Sequence, residues 1–205
     1  MRYDPAQLPV RDTYRLLIGC ITPRPIAWVS TVSPNGIPNL APFSFFNGVA
    51  ANPPTVVFSP VNRRDGSKKD TILNIEKTPE FVVNIVSFDH AGPMNACSEE
   101  FPYEVNEFEK CGLTPLPSEK IKPPRVLEAK VQLECVLHQI VAVGSGPLAA
   151  NLVIGRIVLM HVADGVLDAQ GQIDPRKLDT IGRMGGETYA RTTDLFELNR
   201  PGGKR

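Results

Sequence analysis

Three stretches of this chain concentrate side chains able to hold or transform a ligand. The first is Asn39-Leu-Ala-Pro-Phe-Ser-Phe-Phe-Asn47, where Ser44 and Asn47 place a small hydroxyl and an amide among proline and aromatic residues. Such a segment leaves backbone groups open to a planar polar ligand. The second is Ser67-Lys-Lys-Asp70, ahead of Ile72, Leu73 and Ile75. A hydroxyl three residues before a carboxylate and an apolar run is a capping-box pattern, and it predicts a helix beginning near Ser67. Lys68 and Lys69 then fall in its first turn, where cations oppose the macrodipole. An anion there would remove the conflict, because free N–H groups at a helix start favour phosphate. The bland alternative is a solvated lysine face; the neighbouring ligand segment is what turns the reading toward phosphate. The third stretch is Asp179–Thr192. Its Gly182, Gly185 and Gly186 permit close backbone approach, while Arg183, Tyr189 and Arg191 supply two cations and a phenol. A glycine-rich loop packed on its own fold accounts for these residues equally well.

Other reactive residue types form no constellation. Cys20, Cys97, Cys111 and Cys135 are scattered with no C-x-x-C pair, so neither zinc nor a redox dithiol is signalled. His90, His138 and His161 lie in separate segments without metal-ligand spacing, and no metal site is expected. No G-x-G-x-x-G follows a strand, which argues against a dedicated dinucleotide-binding unit. The 22 basic and 22 acidic residues cancel, favouring neither nucleic acid nor an anionic membrane. No apolar run approaches the roughly 20 residues of a membrane span, and Met-Arg-Tyr-Asp-Pro lacks the apolar core of a secretory signal. A soluble, cytoplasmic protein is expected.

The elements that must position these residues are mostly strands. Ile26–Val32 is rich in β-branched and aromatic residues, and Ser33-Pro-Asn-Gly36 is a turn, so a hairpin returns through Ile37–Phe46. Asn52-Pro-Pro54 forces an extended turn before a buried strand at Thr55–Ser59. Further strands are predicted at Glu80–Val86, within Val126–Val143, and at Asn151–Val162. In the second of these, Ala129, Val131, Leu133, Cys135 and Leu137 alternate with Lys130, Gln132, Glu134 and His138, which predicts one buried and one wet face. Tyr14–Ile18 is a short helix or a first strand, Asp89–Glu100 is weakly helical, and Val105–Lys110 is a turn of helix. Met1–Arg11 reads as an irregular lead-in and Asn199–Arg205 as disordered. Nothing divides the 205 residues, so one domain is expected, with its core at about residues 14–192. Six or more strands with short helices predict a mainly β fold, a closed or partly open barrel with helices on its rim.

Several fragments now add up. Thr22-Pro-Arg-Pro-Ile-Ala-Trp-Val-Ser-Thr31, Asn39–Asn47, Asn52-Pro-Pro54, Lys69-Asp-Thr71 with Asn74-Ile75, and Glu80-Phe-Val-Val-Asn84 occur in the order found in flavin reductase-like proteins. Arg183-Met-Gly-Gly186 with Tyr189 is similar to that family's C-terminal signature. The resemblance runs from about Thr22 to Arg191. It implies an FMN-binding split β-barrel with short peripheral helices, a homodimer with flavin near the subunit interface, and electrons passing from NADH or NADPH to FMN.

The residues accommodate such a ligand. Ser30, Thr31, Phe43, Ser44 and Phe45, with Ala41 and Pro42, suit the ring edge. Asn47 and Ser59 suit the ribityl chain or phosphate. Arg24, Lys69 and Thr71, with Lys68 and Asp70, suit the phosphate. Arg183, Tyr189 and Arg191 close the site or come from the other subunit. Trp28 in mid-strand reads as core. Hydride transfer to flavin needs no protein acid or base in its first half-reaction, so no catalytic residue is named, although the histidines are candidates for orienting a nicotinamide. Two other functions stay open: an FMN-binding electron carrier without its own nicotinamide turnover, and a flavin-free barrel binding oligonucleotides. The latter would track phosphates with a basic groove that a charge-neutral chain lacks.

Overall fold

The computed structural model describes residues 1–199, 201 and 202. After a 3-10 turn at Pro5–Gln7 comes helix α1 (Val10–Cys20), so the chain around Tyr14 is helical and the expected irregular lead-in holds one helical turn and the start of α1. Strand β1 (Arg24–Pro25) precedes the hairpin β2 (Ala27–Val32) and β3 (Pro38–Phe43); β4 (Phe46–Ala51) and β5 (Pro54–Phe58) follow. Helix α2 spans Asp70–Lys77, and β6 Glu80–Ile85. Short helices α3 (Ala91–Ala96) and α4 (Glu107–Lys110) lead to β7 (Pro115–Leu116) and β8 (Arg125–Val126). Two long strands, β9 (Val131–Val143) and β10 (Ala150–Val162), precede α5 (Pro175–Leu178), β11 (Ile181–Arg183) and β12 (Tyr189–Arg191). The disorder expected for 199–205 falls largely on Arg200 and 203–205, which lie outside the described residues.

Seven strands form one antiparallel sheet in the order β3-β2-β6-β9-β10-β5-β4. Its two end strands, β3 and β4, are separated in sequence by only Ser44 and Phe45. Strands at opposite ends of an ordered sheet can be joined by two residues only if the sheet curls until its ends meet, which makes a barrel split between β3 and β4. The Ser59 N–H donates to the Phe45 carbonyl at 2.8 Å, extending the β4–β5 pairing into the two-residue link. A second sheet, β1-β11-β12, lies alongside, with Arg24 opposite Arg183 and Pro25 opposite Gly182.

Both faces of β2 are covered, which is why its run is apolar rather than alternating. Ala27 and Val29 face the barrel interior with Phe43, Val56, Phe58, Phe81 and Val153, and Ile72 and Ile75 of α2 plug that core. Trp28 faces outward into a second core with Leu40, Met94, Phe108, Val126 and Ile181. Trp28 is fully buried, as its place in the strand predicts.

Two sequence expectations need correction. The predicted wet face of β9 is covered in its first half, where Gln132 and Glu134 are 6% and 0% exposed, while His138 farther along is exposed as expected. The proline-studded connector folds over them, and Glu134 accepts the N–H groups of Glu119 and Lys120 at 2.8 Å and pairs with His161 at 2.7 Å. A buried carboxylate with three donors is satisfied without water. The helix expected near Ser67 begins instead at Asp70, with Lys69 as N-cap and no capping side chain. The Ser67 hydroxyl is held by Asp65 at 2.6 Å, and the Asp70 carboxylate pairs with Arg63 at 2.8 Å. Neither half of the capping box is available.

Candidate functional site

The free edge of β3 is chemically blunted. Pro38 and Pro42 carry no N–H, and the Leu40 N–H between them donates to Glu107 Oε2 at 3.1 Å. No further strand can add here. A cavity of about 210 Å³ runs along this edge instead. It is lined by Asn39, Ala41, Pro42 and Phe43 of β3, by Lys69, Asp70 and Thr71 at the start of α2, and by Arg63, Glu107 and the Cys97–Phe101 segment after α3.

A buried polar cluster fixes the two main walls. Asn39 Nδ2 donates to Thr31 Oγ1 at 3.0 Å and to Thr71 Oγ1 at 3.1 Å. Asn74 Nδ2 donates to the same Thr31 oxygen at 3.0 Å, and the Tyr103 hydroxyl donates to Asn74 Oδ1 at 2.6 Å. Apolar packing of Ile72 and Ile75 seats α2, while these bonds set its rotation, so that its uncapped first turn opens on the cavity. Free N–H groups there, beside Arg63 and Lys69, make the anion-attracting end of the site. Lys69 Nζ is only loosely held, 3.4 Å from the largely exposed Glu100.

From Phe43 the chain passes through Ser44 and Phe45 to a region built around Arg24. Arg24 is 4% exposed, and its guanidinium donates to the carbonyls of Ile18 at 2.6 Å, Ile21 at 2.7 Å and Met184 at 2.8 Å, and to Ser44 Oγ at 3.4 Å. Its cation also lies 5.9 Å from the Phe45 ring centroid. Burial lowers its pKa from the ordinary arginine value. Arg24 therefore ties α1, β1, the β3–β4 corner and the glycine loop together. Beyond Met184, Arg183 stacks on Tyr189 with its cation 4.5 Å from the ring centroid, and bonds the Tyr189 hydroxyl and, at 2.6 Å, the Gly186 carbonyl. Tyr189 also donates to Asn95 Oδ1 on α3 at 3.2 Å. The β11–β12 loop thus rests on the same helix that leads into the cavity wall.

The structure brings together Ala41, Pro42, Phe43, Lys69, Asp70 and Thr71 around the cavity, and places Ser44, Phe45, Arg24, Arg183 and Tyr189 in the adjoining linked region. The rest of the expected residues are elsewhere. The Ser30 hydroxyl is buried on the outer face of β2 and donates to the Pro124 carbonyl. Thr31 supports the wall from behind, within the Asn39 cluster. Lys68 pairs with Glu76, farther along α2. Asn47 is exposed on β4 and accepts its neighbour Gly48's N–H. Ser59 lies at the junction, bonded to Phe45 through its backbone. Arg191 is committed to Asp179 at 2.6–2.8 Å and to the Phe88 ring face at 4.1 Å; the paired guanidinium lowers the Asp179 pKa. Sequence reasoning missed Arg63 and Glu107 altogether. Arg63 sits in a loop that reads only as polar, and nothing local marks Glu107, 67 residues from its partner Leu40. Among the described residues no group of three or more potential metal ligands is found.

Comparison with known proteins gives a consistent outcome. The sequence profile of the flavin reductase like domain matches residues 18–179. An uncharacterised protein of Aquifex aeolicus is 47% identical over 178 residues, which is 87% of this chain and 89% of that one. The crystal structure of nitrilotriacetate monooxygenase component B from Bacillus cereus superposes with a TM-score of 0.91 at 39% identity, covering 97% of this chain and 98% of the other. That of the 2-nitrobenzoate 2-nitroreductase NbaA from Pseudomonas fluorescens gives 0.88 at 31% identity, covering 100% and 98%.

Proposed function

The chain belongs to the flavin reductase-like family and has its split-barrel fold, and from that premise we propose that it is an FMN-dependent reductase that takes electrons from a reduced nicotinamide. The family carries a flavin-related oxidoreductase role; FMN as the flavin, NADH or NADPH as donor, and the assignment of contacts are this reading's own.

One observation carries it. The cavity beside β3 has an anion-attracting end, where Arg63, Lys69 and the uncapped start of α2 converge, and a less polar wall of Ala41, Pro42 and Phe43, after which the chain leads on to Ser44 and Phe45. That polarity matches a flavin mononucleotide. Lys69, Thr71 and the first-turn N–H groups of α2 hold the phosphate, with Arg63 kept beside them by its pair with Asp70. Backbone groups of Ala41–Phe45 flank the ring, with Arg183 and Tyr189 on the α3 side. Bound flavin supplies the redox chemistry, accepting a hydride and releasing electrons singly or in pairs. The protein's own work is positioning. Arg24 holds the Ser44 corner rigid, and the Asn39 cluster holds α2 at a fixed distance from β3. Two of the similar proteins are a monooxygenase component and a nitroreductase, so the outgoing electrons are assigned to a partner protein or a small acceptor. Four cysteines free of disulfides suit a reducing, cytoplasmic setting.

One feature favours a second reading, an electron carrier reduced by another protein: no glycine-rich dinucleotide fingerprint follows a strand, so a nicotinamide must dock on the flavin itself. The test is an absorbance spectrum of FMN-loaded protein, followed by anaerobic addition of NADH or NADPH. Bleaching of the flavin band supports the reductase. A yellow protein bleached by neither is the carrier, and one that cannot be reconstituted with FMN overturns the FMN reading.

A further inference from the structure

Two cations and four carboxylates line the cavity along β3: Arg63 and Lys69 against Asp70, Glu99, Glu100 and Glu107. With all four ionised the lining is net negative, an awkward host for a doubly charged phosphate. The four are not equivalent. Asp70 on α2 is neutralised by Arg63 at 2.8 Å. Glu99 and Glu100, after α3, are exposed, so solvent and rotation can remove their charge from the site. Glu107 at the start of α4 is 6% exposed and held by the Leu40 N–H, so it cannot turn away. Among the described residues no cation lies within ion-pair distance of it. From the α3 side it faces the buried Cys97 thiol, from its own segment Cys111, and from α2 Asp70.

We propose that Glu107 couples phosphate binding to proton uptake, so that the dianionic end of a flavin nucleotide enters the cavity only as this carboxylate becomes neutral. The inference rests on the flavin reading above and adds a regulatory property to the same site. Burial already pushes the Glu107 carboxyl up to about 7, with the charge of Asp70 adding to the effect. A second anion arriving in the cavity raises it further, because like charge and added desolvation both disfavour the ionised form. Glu107 touches no reacting atom in this scheme; it is a positioning residue that sets the charge of the pocket.

Isothermal titration calorimetry at pH 8, in Tris and in HEPES, measures protons taken up on binding. At that pH free FMN phosphate is already dianionic (second pKa about 6), so it contributes no proton of its own. Wild type is expected to take up protons with FMN but not with riboflavin, and its FMN affinity to fall by up to about tenfold per pH unit above 7.5, the limit for one linked proton. Glu107→Gln, which keeps an acceptor for the Leu40 N–H, is expected to bind FMN without proton uptake and with a flat profile. Glu107→Asp is expected to restore uptake. FMN binding by wild type without a proton, or equal uptake by wild type and Glu107→Gln, overturns the inference alone. Failure of all three proteins to bind FMN overturns it together with the flavin reading.

Discussion

Replacing Lys69 with alanine isolates the contribution of the phosphate end. Lys69 is the N-cap of α2, its side chain is 30% exposed, and its partner Glu100 is 64% exposed at 3.4 Å. A charge-assisted hydrogen bond to phosphate contributes about 1.5–3 kcal/mol. Forming it gives up the Glu100 pair, which at that exposure contributes up to about 1 kcal/mol. Taken at that upper limit, the difference is roughly 0.5–2 kcal/mol, or about 2- to 30-fold in dissociation constant. Riboflavin carries the same ring and ribityl chain without the phosphate, so it serves as the internal control. Titration by flavin fluorescence is expected to show Lys69→Ala losing about 2- to 30-fold in FMN affinity with riboflavin unchanged. Glu100→Gln is expected to move FMN the other way by no more than about fivefold. Equal losses for FMN and riboflavin, or no loss for either, would refute the reasoning, because the lysine would then be acting on the fold or on solvent.

Other perturbations test the scaffold. Arg24→Ala strands three carbonyls and the Ser44 hydroxyl around a buried void, and should destabilise by several kcal/mol; urea denaturation measures it, and a selective FMN defect with intact stability would instead make Arg24 a phosphate ligand. Gly155→Ala drives a methyl to 2.2 Å from the Phe81 ring in the barrel core, an overpacking that should cost about 1–3 kcal/mol; an unchanged melting temperature contradicts the packing described. Asn39→Ala leaves the Thr31 and Thr71 hydroxyls short of a donor and should cost about 1–3 kcal/mol, with a drop in FMN affinity as α2 loosens. The Glu107 carboxyl, ordinarily at 4.5 and raised to about 7, has a sign opposite to most carboxylates. Its folded form binds the proton more tightly, so wild-type stability is present below pH 4.5 and declines as pH rises toward 7, by roughly 3 kcal/mol at most. Urea denaturation at pH 5 and 8 should therefore show Glu107→Gln gaining on wild type at the higher pH, and a constant difference would remove that reasoning.

Local chemistry was legible in the sequence where it settled the structure. The Ile26–Phe46 hairpin could be read because β-branched residues flank a Ser-Pro-Asn-Gly turn, and β2 and β3 pair across it. The barrel followed from many short strands. The start of α2 was misplaced because Ser67 and Asp70 each found a better partner outside the helix, Asp65 and Arg63, and no pattern of N-cap types registers such competition. The first half of the wet face of β9 was misassigned for a related reason: alternation reports polarity, and Glu134 stays polar while buried under the connector that supplies its donors. In the candidate site, β3 and the α2 start stood out because their residues are contiguous. Arg63 and Glu107 did not, because Arg63 reaches the site through its pair with Asp70 and Glu107 through the packing of α4 on the β3 edge. Arg24 was found as a charged residue beside a ligand segment, whereas its partners, three backbone carbonyls, leave no trace in residue types.

The central claim is that a flavin's phosphate sits between the β3 edge and the start of α2, with its ring running toward Ser44 and Phe45. A crystal structure of the protein with FMN tests it most directly. The account predicts phosphate oxygens within hydrogen-bond distance of Lys69 Nζ and the first-turn N–H groups of α2, with the ring against Phe43–Phe45. Density for the nucleotide elsewhere, or a cavity closed over by Lys69 and Glu107 in the presence of saturating FMN, would contradict it.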